Sequence, residues 1–70
     1  MKIRTMYDVG LAIRSGRERA GLSQQQLADR AMVSRSWLAK VETGKASFDL
    51  RKVLMVAQTL GMTVEISYGE

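Results

Sequence analysis

From Thr5 onward, apolar residues recur at intervals of three and four, in four short runs separated by serine, aspartate or glycine. In the first run Met6, Val9, Ile13, Gly16 or Arg17, and Ala20 fall on one side of an α-helix. Thr5-Met6-Tyr7-Asp8 has the spacing of a capping box, with aspartate where glutamate or glutamine is commoner. The pattern predicts a helix over 6–20, stopped by Gly21. Gly10 and Gly16 lie inside it. Each weakens a helix by about 1 kcal/mol relative to alanine, so both predict close approach of a neighbouring element.

Ser23 and Gln26 form a second capping box, which opens a helix over 24–31 with Leu27, Ala28 and Ala31 inward. Met32-Val33 makes the turn. Ser34 caps a third helix over 35–43, with Leu38 and Val41 inward and Gly44 as its stop. Asp49 caps a fourth over 50–60, whose apolar stripe is Leu50, Val53, Leu54, Ala57 and Leu60, and Gly61 ends it. The period then changes. Val64, Ile66 and Tyr68 alternate with Thr63, Glu65 and Ser67, which is the pattern of a β-strand. A lone strand leaves its backbone groups unpaired. Lys2-Ile3-Arg4 is one available partner; the same strand of a two-fold mate, forming an antiparallel ribbon, is the other and the preferred one. The predicted fold is mainly α, a compact four-helix domain over 1–61 with a C-terminal strand in 62–70 that serves dimerisation.

Composition narrows the function. Seventy residues make one domain with a modest core, which commonly needs a disulfide, a metal or a partner chain for stability. There is no cysteine and no histidine, which removes disulfides and disfavours a structural zinc site, so oligomerisation is the staple that remains and no cofactor is expected. Eleven Lys and Arg against seven Asp and Glu give a net charge of +4. That suits a polyanionic partner, although a solvated basic surface accounts for it equally well. No apolar run reaches membrane-spanning length and no secretory segment is evident, and the missing cysteines fit a cytosolic setting. The carboxylates are scattered, and there is no phosphate-cradling glycine loop, so an enzyme is not expected.

The segment 23–43 is two short helices joined by a tight turn, the arrangement of a helix-turn-helix. To enter the major groove of double-stranded DNA, the second helix needs donors on its outer side and only a few apolar anchors beneath. Arg35, Ser36 and Lys40 supply the donors; Leu38 and Val41 supply the anchors. On these residues the chain resembles the Cro and lambda-repressor type of helix-turn-helix, also called the XRE family. The resemblance runs over about Leu11 to Gly61 and rests on Leu22-Ser23-Gln24, Leu27-Ala28, Val33-Ser34, Leu38, Val41-Glu42 and Gly44-Lys45 at their fixed spacing. The stretch from Val33 through Ile66 is most similar to HipB-type regulators, in which a strand replaces the fifth helix and builds a dimer ribbon.

The resemblance implies roles. Arg35, Ser36 and Lys40 match base-reading positions; an arginine can fork onto guanine, and a lysine can reach guanine or phosphate. Gln24 matches a residue that touches phosphate and braces the reading helix, and Thr43, Gly44 and Lys45 match a phosphate-gripping loop. Arg17 and Glu42 match a structural ion pair. Thr63, Val64, Glu65, Ile66, Ser67 and Tyr68 match the dimer strand. Many such proteins are antitoxins that also hold a HipA-like kinase toxin and repress their own operon from a palindromic operator; a repressor without a toxin partner, or a protein-interaction module on the same fold, are the alternatives. Trp37 is read as half-exposed, either beside a phosphate or thymine methyl or in a packing role. Leu11 lies off the first stripe and is an interface residue or an ordinary surface leucine. Arg51 and Lys52 stand in the first turn of the fourth helix, against its dipole, which suits a phosphate or partner contact or, equally, a solvated face. The family usually has glycine where this chain has Met32. A left-handed methionine there would be strained by roughly 1 kcal/mol, unless the turn bends differently.

Overall fold

The computed structural model describes residues 3–46 and 49–65. Four helices follow one another: α1 (Met6–Arg19), α2 (Gln24–Ala31), α3 (Arg35–Glu42) and α4 (Leu50–Thr59). Ala20, Thr43 and Leu60 cap their helices and do not continue them. Each start is held by a side chain. Thr5 and Ser23 accept from the amides of Asp8 and Gln26, and both capping boxes close. Ser34 accepts from Trp37, and Asp49 from Lys52. These contacts satisfy amides that a helix cannot satisfy itself. Capping matters here because helices of 8 to 14 residues are marginal without tertiary packing.

All four helices end in one way. Leu22, Val33, Lys45 and Met62 each donate backbone N–H to the carbonyl five residues back, on Arg17, Ala28, Lys40 and Ala57. The residue before each also bonds back, to Glu18, Asp29, Val41 and Gln58. This is the Schellman motif, whose pivot residue is left-handed. Gly21, Gly44 and Gly61 fill three pivots with φ of 72°, 74° and 70°. Met32 fills the fourth with φ 60° and ψ 39°, so the turn keeps the geometry of a glycine and the rest of the fold holds it there. Its side chain is 83% exposed and recovers little by burial.

The core is Val9 and Ile13 of α1, Leu27, Ala28 and Ala31 of α2, Leu38 and Val41 of α3, and Val53 and Val56 of α4. α3 packs on both α1 and α2, while α4 packs on α2. Gly10 and Gly16 are where elements touch. A Cβ on Gly10 would collide with the carbonyl oxygen of Val41, and one on Gly16 would fall 2.5 Å from the sulfur of Met62. Three residues expected inward lie outside the core. Ala20 is exposed at the end of α1. On α4 the buried stripe is Val53, Val56 and Ala57, with Leu60 half-buried, whereas Leu50 and Leu54 are 42% and 45% exposed. The α4 sequence is apolar around more than half its circumference. Two stripes sharing Val53 and Ala57 were therefore available, and α2 covers the one that includes Val56.

The expected strand falls across the limit of the described residues. Thr63–Glu65 carry no strand, nor do Ile3 and Arg4; Ile66, Ser67 and Tyr68, like Lys2, lie outside the described residues.

Relieving the left-handed methionine should stabilise the domain. A non-glycine residue there costs about 1–2 kcal/mol, offset in part by the greater freedom of glycine in the unfolded chain, about 0.4–1 kcal/mol. Met32→Gly should raise Tm by several degrees in a calorimetric or circular-dichroism melt. An unchanged or lower Tm would show that the Met32 side chain stabilises the turn.

Candidate nucleic-acid interface

α3 presents two faces of opposite chemistry. Leu38, Val41 and Glu42 are buried, while Arg35, Ser36 and Lys40 are exposed. The ion pairs among the described residues are Arg14–Glu18 and Arg17–Glu42, so Arg35 and Lys40 are uncommitted cations there. The structure thus brings all three expected base-reading residues onto one open surface.

The angle of α3 is set from beneath by Glu42. Its carboxylate receives Arg17 Nε at 2.8 Å and Nη2 at 3.0 Å, a two-pronged charge-assisted contact. Arg17 Nη1 donates to the Leu22 carbonyl at 2.9 Å, and Gln24 Nε2 to Glu42 Oε1 at 3.2 Å. One carboxylate therefore ties the last residue of α3 to α1, to the α1–α2 turn and to the first residue of α2. The side chains of Arg17 and Glu42 are 14% and 3% exposed. Hydrogen bonding to Glu42, above all, holds the Arg17 guanidinium above its ordinary pKa. Gln24 spends one amide proton on this network and keeps the other. The backbone amides of Gln24 and Gln25, at the start of α2, have no carbonyl within the helix to bond.

The loop after α3 departs from the expectation in its donors. The Thr43 hydroxyl donates toward the Lys40 and Ala39 carbonyls, at 3.0 and 3.3 Å. The Gly44 and Lys45 amides bond Val41 and Lys40 in the Schellman turn. Of the three residues, the exposed Lys45 ammonium is the donor left for an external anion. Gly44 has a packing reason for its identity: a Cβ there would lie 3.1 Å from the Tyr7 backbone, so this loop rests on the first turn of α1.

Trp37 is half-buried against the core, with the Lys52 ammonium 5.5 Å from its ring centroid. Lys52 was expected to make a phosphate or partner contact or to lie on a solvated face. Its only local signal was a cation in the first turn of a helix; the partnership with Trp37 spans fifteen positions and is invisible to periodicity.

A helix-turn-helix domain model matches residues 8–66. The chain belongs to the helix-turn-helix family of DNA-binding transcriptional regulators. It is 37% identical over 65 residues to the uncharacterised HTH-type transcriptional regulator y4mF of Sinorhizobium fredii, covering 93% of this chain and 86% of that one. It is 39% identical over 62 residues to the immunity repressor protein of Bacillus phage phi105, covering 89% of this chain and 43% of that longer protein. A HipB variant in complex with an O2 20mer superposes with a TM-score of 0.85 over 100% of this chain and 97% of that one, at 17% identity, which is a likeness of fold. These comparisons place the helix-turn-helix domain with Cro and lambda-repressor type regulators rather than with enzymes. Among the described residues no helix is long and apolar enough to cross a membrane.

The Glu42 network should be the costliest polar feature to disturb. Glu42→Ala leaves the Arg17 guanidinium with its charge unpaired and should lose about 3–5 kcal/mol in urea unfolding. Arg17→Ala combined with Glu42→Ala should cost less than the sum of the two single changes. A single loss below about 1 kcal/mol would mean that the pair behaves as an ordinary surface contact.

Proposed function

We propose that the chain is a homodimeric, sequence-specific repressor that places α3 in the major groove of each half of a palindromic operator. The observation that carries this is the exposed, uncommitted set Arg35, Ser36 and Lys40 on a helix whose inner face is locked by Leu38, Val41 and Glu42. In this reading Arg35 and Lys40 contact base edges and Ser36 adds a hydroxyl. Gln24 and the open amides at the start of α2 meet one phosphate. Trp37 and the Thr43–Lys45 loop border another, with the Lys45 ammonium making the contact and Thr43 and Gly44 shaping the turn. The helix-turn-helix unit is 23–43.

Dimerisation is assigned to 62–70, through Thr63, Val64, Glu65, Ile66, Ser67 and Tyr68. Support comes from the apolar surface left open by one chain: Leu50, Leu54 and Val64 are 42%, 45% and 44% exposed. Two α3 helices about one turn of duplex apart would read two half-sites. A further role as an antitoxin that also holds a HipA-like kinase is supported by the HipB-type sequence from Val33 through Ile66 and by the likeness of fold. Co-purification with the product of the neighbouring gene tests it.

Selection from random duplexes should return a two-fold symmetric consensus. Arg35→Ala should lose about 1–3 kcal/mol and the preference at one base pair of each half-site, whereas Lys45→Ala should weaken all sequences alike and reduce the salt slope by about one. No enrichment by the wild type would contradict a sequence-specific reader. Removal of 63–70 should leave a monomer in sedimentation and weaken operator binding; a truncated chain that still dimerises would overturn the assignment of the tail.

A further inference from the structure

A groove runs between α3 and the first turn of α4. Ser36, Trp37 and Lys40 line it from α3, Lys45 from the intervening loop, and Asp49 and Lys52 from the start of α4. It holds three ammonium groups and one carboxylate. That carboxylate is engaged as the cap of α4, accepting the Lys52 amide at 3.2 Å. Lys52 Nζ is drawn over the Trp37 ring, 5.5 Å from its centroid. Lysine at the start of a helix opposes the helix dipole, and an anion seated in the groove would offset that cost. The groove shares Ser36 and Lys40 with the outer face of α3. In the reading proposed above, where that face enters the major groove, a bordering strand would pass beside this groove.

We infer that this groove seats a backbone phosphate of the bound duplex, with Lys52 as a direct contact and Trp37 as the residue that positions it. This rests on the DNA-binding reading above and adds a contact to it. The chemistry is that of a phosphodiester held by ammonium groups, so it carries affinity and register but no sequence information. Resting on the ring, the Lys52 side chain has surrendered part of its rotamer freedom before DNA arrives, which reduces the entropic cost of contact.

Trp37 is the sole tryptophan, so its emission reports on the groove. The test uses the full chain with a random-sequence duplex at low salt. Affinity is read by anisotropy of labelled duplex over a salt series, and Trp37 accessibility by acrylamide quenching. Far-UV circular dichroism establishes that each variant is folded. Duplex should shield Trp37 from acrylamide in the wild type. Lys52→Met should flatten the salt dependence by about 0.9 in log–log slope, and Lys52→Arg should restore it. Trp37→Leu should lose part of the same slope, Trp37→Phe should retain it, and Trp37→Leu with Lys52→Met should lose no more than Lys52→Met alone. Binding with an unprotected Trp37, or with a wild-type slope in Lys52→Met, would overturn the groove while leaving DNA binding intact. Failure of the wild type to bind any duplex would overturn both.

Discussion

The arrangement depends on one buried carboxylate. Glu42 ends α3 and receives the forked guanidinium of Arg17 from α1 and the amide of Gln24 from α2. Two helices of eight residues cannot hold a fixed mutual angle through their own hydrogen bonds. Apolar packing at Leu27, Leu38 and Val41 brings them together but is tolerant of small rotations. The hydrogen bonds at Glu42 are directional, and tilting α3 would leave a desolvated charge unpaired. Among the described residues every buried side-chain polar atom has a partner, so the core holds no unresolved polar conflict that would favour another angle.

With that angle held, the chemistry of the outer surface follows from what the scaffold has already used. Donors close to the backbone are mostly spent: the Thr43 hydroxyl and the Gly44 and Lys45 amides all close the turn after α3. The long side chains of Arg35, Lys40 and Lys45 remain free, and Lys52 rests on Trp37. A rigid frame carrying a few long cationic side chains suits DNA, where the frame supplies the register and the side chains reach base edges and phosphates.

Much of the fold was legible because it is written locally. Thr5, Ser23, Ser34 and Asp49 each cap the helix they were expected to cap, and Gly21, Gly44 and Gly61 end three of the four. The left-handed turn at Met32 was legible only as a departure from a family pattern; nothing in methionine itself announces it. The Arg17–Glu42 pair lies 25 positions apart and was reached by resemblance, since no periodicity links the two residues. α4 was misassigned on one flank because it offers more apolar surface than α2 can cover. The spent donors of the loop after α3 were illegible for another reason. Residue type states what a group can bond, and only geometry states what it already bonds.

We assign the DNA-facing surface to α3 and its flanking groove. Amide chemical-shift mapping of the isotope-labelled chain, titrated with its selected duplex, tests it most directly. The largest shifts should run from Ser34 to Lys45, with further shifts at Gln24 and Lys52 and at the Trp37 indole. Shifts centred instead on Leu11, Leu50 and Leu54, with α3 unmoved, would contradict it.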